Sequence, residues 1–193
     1  ASFLYPKNGA GSFIEILYNA LNKEKVLLNT EVTSVDFDTK IATLSNGDTV
    51  EYDYLINTIP LNKFLELPGS YSELIDEMSY NKVLVFNLGF NKRSELCTKE
   101  HWLYVADKEC NFYRCGFYNN ILGAENLSMY IEIGYSKKAE ITKSDIDEQL
   151  KLTLENLKKL GITDNETELV EYCSIIMDPA YVHINTETNK KLD

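Results

Sequence analysis

Arg114 is one of two arginines in the chain, and it sits among aromatic residues in Phe112-Tyr113-Arg114. A lone guanidinium in an apolar strand loses hydration unless something pairs with it. It reads either as half of a structural ion pair or as a clamp for a carboxylate or phosphate. Trp102, Tyr104, Tyr113 and Tyr118 can equally line a pocket or fill a core. Gly9-Ala10-Gly11 precedes a helical pattern, and it is either a plain helix start or a seat for an anion at the positive end of the helix dipole. Other chemistry is missing from the string. There is no nucleophile elbow with a Ser/His/Asp order, no H-E-x-x-H, no phosphate-binding loop and no G-x-G-x-x-G. Cys97, Cys110, Cys115 and Cys173 form no C-x-x-C pair, and His101 and His183 stand at no ligand spacing from them. Reduced structural thiols are expected rather than a disulfide or a metal site.

The balance of 19 basic and 30 acidic residues gives a net charge of −11. That charge disfavours nucleic acid and anionic membrane surfaces as partners and leaves a small molecule as the expected one. The longest apolar runs, such as Leu84–Phe86 and Tyr54–Ile56, are strand-sized against the roughly 20 residues a membrane span requires. A composition of 44% apolar and 25% charged residues excludes fibrous and disordered classes. No secretory leader pattern opens the chain, and with acidity and free thiols the expected location is cytoplasmic. The chain begins inside an apolar, proline-containing stretch without Met and stops in Asn-Lys-Lys-Leu-Asp, so the expectation is an interior piece of a longer protein.

These residues must be held by elements, and the periodicities supply them. Ser12-x-x-Glu15 reads as a capping box for a helix running to about Lys23, with Phe13, Ile16, Leu17, Ala20 and Leu21 on one face. Val26–Leu28 reads as a short strand. Thr33, Val35 and Phe37 alternate, Asp38-Thr39-Lys40 turns, and Ile41–Leu44 and Thr49–Tyr52 flank Asn46-Gly47, a type I′ hairpin signal. Tyr54–Thr58 reads as a buried strand that Pro60 ends. Leu61–Leu67 and a Ser70-capped stretch to Met78 read as short helices. Strands are expected at Lys82–Phe90, His101–Ala106, Asn111–Phe117, Leu127–Tyr135 and Glu168–Met177, the last ending at Asp178-Pro179. Ser144 to Leu160 is the strongest helix, closed by Gly161. The expected class is α+β, a mixed and largely antiparallel sheet with flanking helices plus a β-meander.

Several ordered segments carry a family resemblance. They are Tyr5-Pro6-Lys7-Asn8-Gly9-Ala10-Gly11-Ser12-Phe13, Glu31-Val32-Thr33-Ser34-Val35, Asn46-Gly47-Asp48 and Asp53-Tyr54-Leu55-Ile56-Asn57-Thr58-Ile59-Pro60. Together they resemble the interior of FAD-dependent proteins of the amine oxidase superfamily. Within that group the protoporphyrinogen-oxidase-like and UDP-galactopyranose-mutase-like bacterial members are the most similar. His101-Trp102-Leu103-Tyr104-Val105, Phe112-Tyr113-Arg114 and Tyr130-Ile131-Glu132 are similar to their substrate domain. The resemblance runs from residue 3 to about 183.

The resemblance implies that Pro6, Lys7, Asn8 and Gly9 match a loop beside the flavin, Asn8 departing from the usual glycine. It implies that Val32 contacts the adenine through its backbone and that Thr58-Ile59-Pro60 returns beside the cofactor. Gly9, Gly11, Val32, Thr58 and Pro60 are thus candidate FAD contacts, and Lys7, Trp102, Tyr113 and Arg114 candidate substrate contacts. No catalytic residue is assigned. Residues 1–60 are expected to be part of the FAD-binding domain, 61–180 the substrate domain and 181–193 a return segment. The fingerprint and glycine-rich segments that the family carries outside this stretch are not in it, so the chain alone is expected to hold FAD weakly or not at all and to be inactive. Three functional readings stand: part of an FAD-dependent oxidoreductase, part of a mutase-like flavoprotein acting on a nucleotide sugar, or a non-catalytic module that retains the fold.

Overall fold

The computed structural model describes residues 4–183, 185, 186, 189 and 190. Part of the expected return segment, residues 184, 187, 188 and 191–193, therefore lies outside the described residues. The chain divides into two compact units. One holds the residues up to Phe13 together with Asn81–Ala180, and the other holds Ile14–Tyr80 and the residues from Tyr181 onward. Helices and antiparallel strands are mixed in the chain, so the α+β class holds.

The first unit is built on a five-stranded sheet ordered β5-β6-β7-β4-β8, with β4 Ser79–Phe90, β5 Trp102–Tyr104, β6 Arg114–Phe117, β7 Ser128–Ser136 and β8 Leu169–His183. Pairing of β5 with β6, β6 with β7 and β7 with β4 is antiparallel. Side chains alternate between the faces, so every second residue is committed to one side. Leu84, Phe86 and Leu88 of β4, Cys115 and Phe117 of β6, and Met129, Ile131 and Ile133 of β7 are all buried in one cluster. Helix α5, Lys143–Lys159, belongs to that cluster through Leu157, with Ile146, Leu150 and Leu154 packed against it. The opposite face carries the other alternation, including Arg114, Tyr130 and Glu132.

One detail of α5 differs from expectation. Its N-cap is Thr142, not Ser144: Thr142 accepts from the Asp145 amide, and the Asp145 carboxylate accepts from the Thr142 amide at 2.7 Å. The reciprocal box two residues earlier satisfies two amides at once. Gly161 lies past the C-cap with φ 72, as expected for a left-handed closing residue. A short helix, α4 Tyr118–Leu122, follows β6 directly and closes on Gly123. Strand β8 continues through Asp178-Pro179 to His183 instead of ending there.

The second unit holds a three-stranded antiparallel meander of β1 Val32–Asp36, β2 Ile41–Leu44 and β3 Thr49–Glu51. Val35, Ala42 and Leu44 are its buried side chains. Helices α2 Leu61–Glu66 and α3 Ser72–Glu77 lie beside it, with Phe37 6.0 Å from Phe64 and 6.4 Å from Tyr71 between ring centroids. Helix α3 has Tyr71 at its N-cap, while the Ser70 hydroxyl donates back to the Pro68 carbonyl and caps nothing. At the β2–β3 hairpin only Gly47 has positive φ. The Gly47 amide bonds to the Leu44 carbonyl, so the connection is a three-residue loop with a left-handed glycine and not type I′.

Helix α1, Ala10–Ala20, starts two residues before Ser12, whose hydroxyl donates to the Gly9 carbonyl at 2.7 Å instead of capping. Two expected strands do not form. Residues 23–25 make a 3₁₀ turn, and Asn29 turns again with φ 55, so Val26–Leu28 is spent between two tight turns. Tyr54–Thr58 belongs to no strand among the described residues, with Tyr54 92% and Ile56 87% exposed. A strand exists only where neighbouring backbone takes up its amides and carbonyls, and no strand lies beside this one among the described residues.

Candidate functional site

The expected residues fall in three places: a cavity in the second unit and, in the first unit, the turn before α1 and one face of the five-stranded sheet. In the second unit a cavity of about 570 Å³ is lined by Thr30, Glu31, Val32 and Val35 from the start of β1, by residues 55–59, and by Lys63, Phe64, Glu66 and Leu67 of and after α2. Val32 and Thr58 thus share one cavity although 26 residues separate them. Val32 pairs with Leu44, and an irregularity in the ladder between Val32 and Ser34 twists the strand at this point. Pro60 does not line the cavity. It stands directly before α2 with φ −53, where proline starts a helix at no cost in hydrogen bonds.

The lining of the cavity is mixed, with apolar Val32, Leu55, Ile59 and Phe64 beside polar Thr30, Asn57 and Thr58 and charged Glu31, Lys63 and Glu66. Asn57 is fixed by its own turn, its amide donating to the Ile59 carbonyl and its carbonyl accepting from the Ile59 amide.

Lys7, Gly9 and Gly11 are placed in the first unit, in and after the turn that leads to α1. Gly9 needs to be glycine for its φ of 82, whereas the position of a Cβ on Gly11 is open. Lys7 is exposed. Nearby, the ring of Tyr5 meets His101 edge-on at 5.2 Å.

On the face of the five-stranded sheet turned away from α5, Trp102 and Arg114 stand on the neighbouring strands β5 and β6, with Tyr113 directly before β6. Trp102 stands opposite Gly116 and Tyr104 opposite Arg114, which in turn faces Glu132. Arg114 donates through Nη2 to Glu132 Oε1, and the Tyr113 hydroxyl donates to Glu132 Oε2 at 2.5 Å. The carboxylate of Glu132, 7% exposed, therefore accepts from both partners. The guanidinium also lies between two rings, 5.9 Å from Tyr104 and 6.0 Å from Tyr130. Its hydrogen bond to Glu132 holds the Arg114 pKa above the usual arginine value. Of the two expectations for Arg114, the geometry is that of the ion pair.

Tyrosines extend this face. Tyr130 and Tyr118 are 5.4 Å apart between centroids, and the Tyr118 hydroxyl donates to Asn87 at 2.9 Å. Burial pushes both phenols above their usual pKa, so they remain protonated donors at neutral pH. Sequence reading placed Glu132 and Tyr130 in a motif but missed their roles. The alternation Tyr130-x-Glu132, which puts both on one side of a strand, was the available signal. Gly116 gave no signal, because its importance lies in a ring that comes from another strand.

Comparisons with known proteins show what the chain is similar to. Protoporphyrinogen oxidase of Dictyostelium discoideum is 28% identical over 97 residues, covering 45% of this chain and 18% of that protein. The structure of reduced UDP-galactopyranose mutase superposes with a TM-score of 0.81 at 23% identity, over 92% of this chain and 41% of that one. A putative protoporphyrinogen oxidase from Exiguobacterium sp. 255-15 gives a TM-score of 0.71 at 15% identity, over 96% of this chain and 43% of that one. The chain thus spans less than half the length of each protein it resembles. The profile of the family described as flavin containing amine oxidoreductase matches residues 1–174. With that match over most of its length, the chain belongs to the flavin-containing amine oxidoreductase family.

Proposed function

We propose that this chain is part of a longer FAD-dependent oxidoreductase and carries its substrate domain together with the strand that contacts the adenine. The observation that carries the reading is the cavity shared by Val32 and Thr58, which two distant segments build. Val32 would meet the purine edge with its backbone, Thr58 and Asn57 would close the polar rim, and Gly9 and Gly11 would face the cofactor from the start of α1. When bound, the flavin supplies the ring that accepts or returns electrons, a chemistry side chains cannot provide. The protein's part is to orient the substrate and to keep water away.

In that division of labour Lys7, Trp102, Tyr113 and Arg114 belong to the substrate side. Tyr113 and Arg114 are held by Glu132, so each arrives in one fixed orientation, with no reorganisation when the substrate binds. A mutase-like action on a nucleotide sugar requires a cation free to hold a diphosphate. Arg114 is already engaged by Glu132, which favours the oxidoreductase reading. Four free thiols, two of them buried, fit a reducing compartment and the proposed cytoplasmic location.

The test is to isolate the longer protein and measure its bound flavin and its oxygen consumption with amines, porphyrinogens and UDP-galactose. The expected result is stoichiometric FAD in the longer protein, little or none retained by the 193-residue chain, and oxygen uptake with an oxidisable substrate. A longer protein without flavin would leave the non-catalytic module as the reading. Turnover of UDP-galactose without oxygen uptake would establish the mutase reading.

A further inference from the structure

Residues 55–59 line the cavity of the second unit, yet they belong to no strand and no helix among the described residues. Something else has to fix their course. Among the described residues, 53–59 make two hydrogen bonds, and both run between Asn57 and Ile59. Asn57 Nδ2 donates to the Ile59 carbonyl at 3.2 Å, and the Ile59 amide donates to Asn57 Oδ1 at 3.0 Å. Local chemistry brings these two residues together. Pro60 follows Ile59, and a proline ring disfavours the helical region for the residue before it, which leaves Ile59 extended. An extended residue presents its N–H and C=O to one side, as in an antiparallel pair where two residues exchange both bonds. A carboxamide carries a donor and an acceptor in one plane, so it can take the place of the missing partner. Asn57 thus supplies from a side chain what a neighbouring strand would have supplied.

The clasp closes a small ring around Thr58, the residue it spans, and Pro60 with φ −53 holds the chain just beyond it. The β1 side of the cavity is anchored differently. Strand β1 is held by its ladder to β2 and, on its outer edge, by the Val35 amide, which donates to the Leu67 carbonyl at 3.4 Å. One side therefore rests on backbone pairing and the other on a single carboxamide. We infer that Asn57 is the positioning residue of this cavity: its clasp sets the path of residues 55–59 and, through Thr58, the wall that meets the cofactor. The inference rests on the reading that the cavity takes the adenine end of FAD, and it deepens that reading by naming the side chain on which the wall depends. The residue type matters. Aspartate, when ionised, is an acceptor only and keeps one of the two bonds, and alanine keeps neither.

Amide hydrogen exchange of the 193-residue chain, followed by NMR, tests the clasp with no ligand present. Corrected for intrinsic rates, the Ile59 amide is expected to exchange about three- to ten-fold more slowly than the Thr58 amide, the protection worth one net hydrogen bond. Asn57→Ala is expected to abolish that difference and to move the amide shifts of Leu55, Ile56 and Thr58 toward random-coil positions. Asn57→Asp retains the acceptor and is expected to keep Ile59 protected. A second arm titrates FAD into the longer protein stripped of its flavin and follows flavin fluorescence. There Asn57→Ala is expected to weaken FAD about three- to ten-fold, while the melting temperature of the apoprotein stays unchanged because the Asn57 side chain is exposed. Equal exchange at Ile59 and Thr58 in the wild-type chain would overturn the inference. So would unmoved shifts at Leu55, Ile56 and Thr58 in Asn57→Ala, or equal FAD affinity of that variant and wild type. A wild-type longer protein that takes up no FAD defeats the flavoenzyme reading instead, and the exchange and shift results on the 193-residue chain then decide the role of Asn57 separately.

Discussion

Arg114 and Glu132 face each other across β6 and β7, and the carboxylate takes a second hydrogen bond from Tyr113, the neighbour of Arg114 in sequence. Arg114 and Tyr113 are thereby both fixed by one nearly buried acid. Such a pair contributes little net stability over a well-packed apolar one, but removing a single partner strands the other.

Glu132→Ala should therefore destabilise the chain by about 2–4 kcal/mol, less than a fully buried pair because the Arg114 side chain retains 26% of its exposure. Glu132→Gln keeps an acceptor for Tyr113 and should lose about half of that. Urea unfolding followed by circular dichroism measures both. Equal midpoints for wild type and Glu132→Ala would show that Arg114 finds another partner.

Acid should loosen the capping of α5. Hydrogen bonding from Thr142 lowers the Asp145 pKa, and hydrogen bonding from Lys92 first and Thr167 second lowers that of Asp164. A carboxylate whose folded pKa is depressed contributes stability above its unfolded value, about 4, and loses it as pH falls toward the folded value. Melting temperature should hold steady from neutral pH to about 5 and fall progressively below about 4. Thr142→Ala should lower stability at neutral pH by about 1 kcal/mol and flatten part of the acid decline. A Thr142→Ala profile parallel to wild type would place the acid sensitivity elsewhere.

Thiol reactivity should single out Cys173. It is exposed, whereas burial pushes the Cys115 thiol up to about 12 and also raises Cys97. Only thiolates attack disulfide reagents. Cys110, half-buried and raised by burial, should react slowly. Ellman's reagent should give one fast equivalent that Cys173→Ser removes; two fast equivalents would contradict the burial of the others.

Local chemistry made much of this fold legible. The β1–β3 meander follows from alternation at Val32–Asp36 and from the Asn46-Gly47 turn, and α5 from a leucine stripe closed by Gly161. Each of these signals lies within a few residues and needs no distant partner. Tyr54–Thr58 was misread because an all-apolar run specifies burial but not a neighbour to pair with. The Thr142 cap was missed because Ser144 offered a competing hydroxyl two residues on, and only the reciprocal bond with Asp145 decides between them. On the five-stranded sheet, Arg114 announced itself as a cation that needed a partner. That Glu132, 18 residues later, is the partner depends on strand register, which composition does not encode. Val32 and Thr58 were each singled out, but the cavity they share is a product of how α2 returns to β1.

Helix α1 shows Phe13, Ile14, Ile16 and Leu17 to water, each at least half exposed, and has no buried residue. Oily side chains gathered so densely on one short rod attract their like in any aqueous preparation. Handling this polypeptide will call for dilute stocks, since crowding the tube gives these carbon-rich surfaces one another as neighbours.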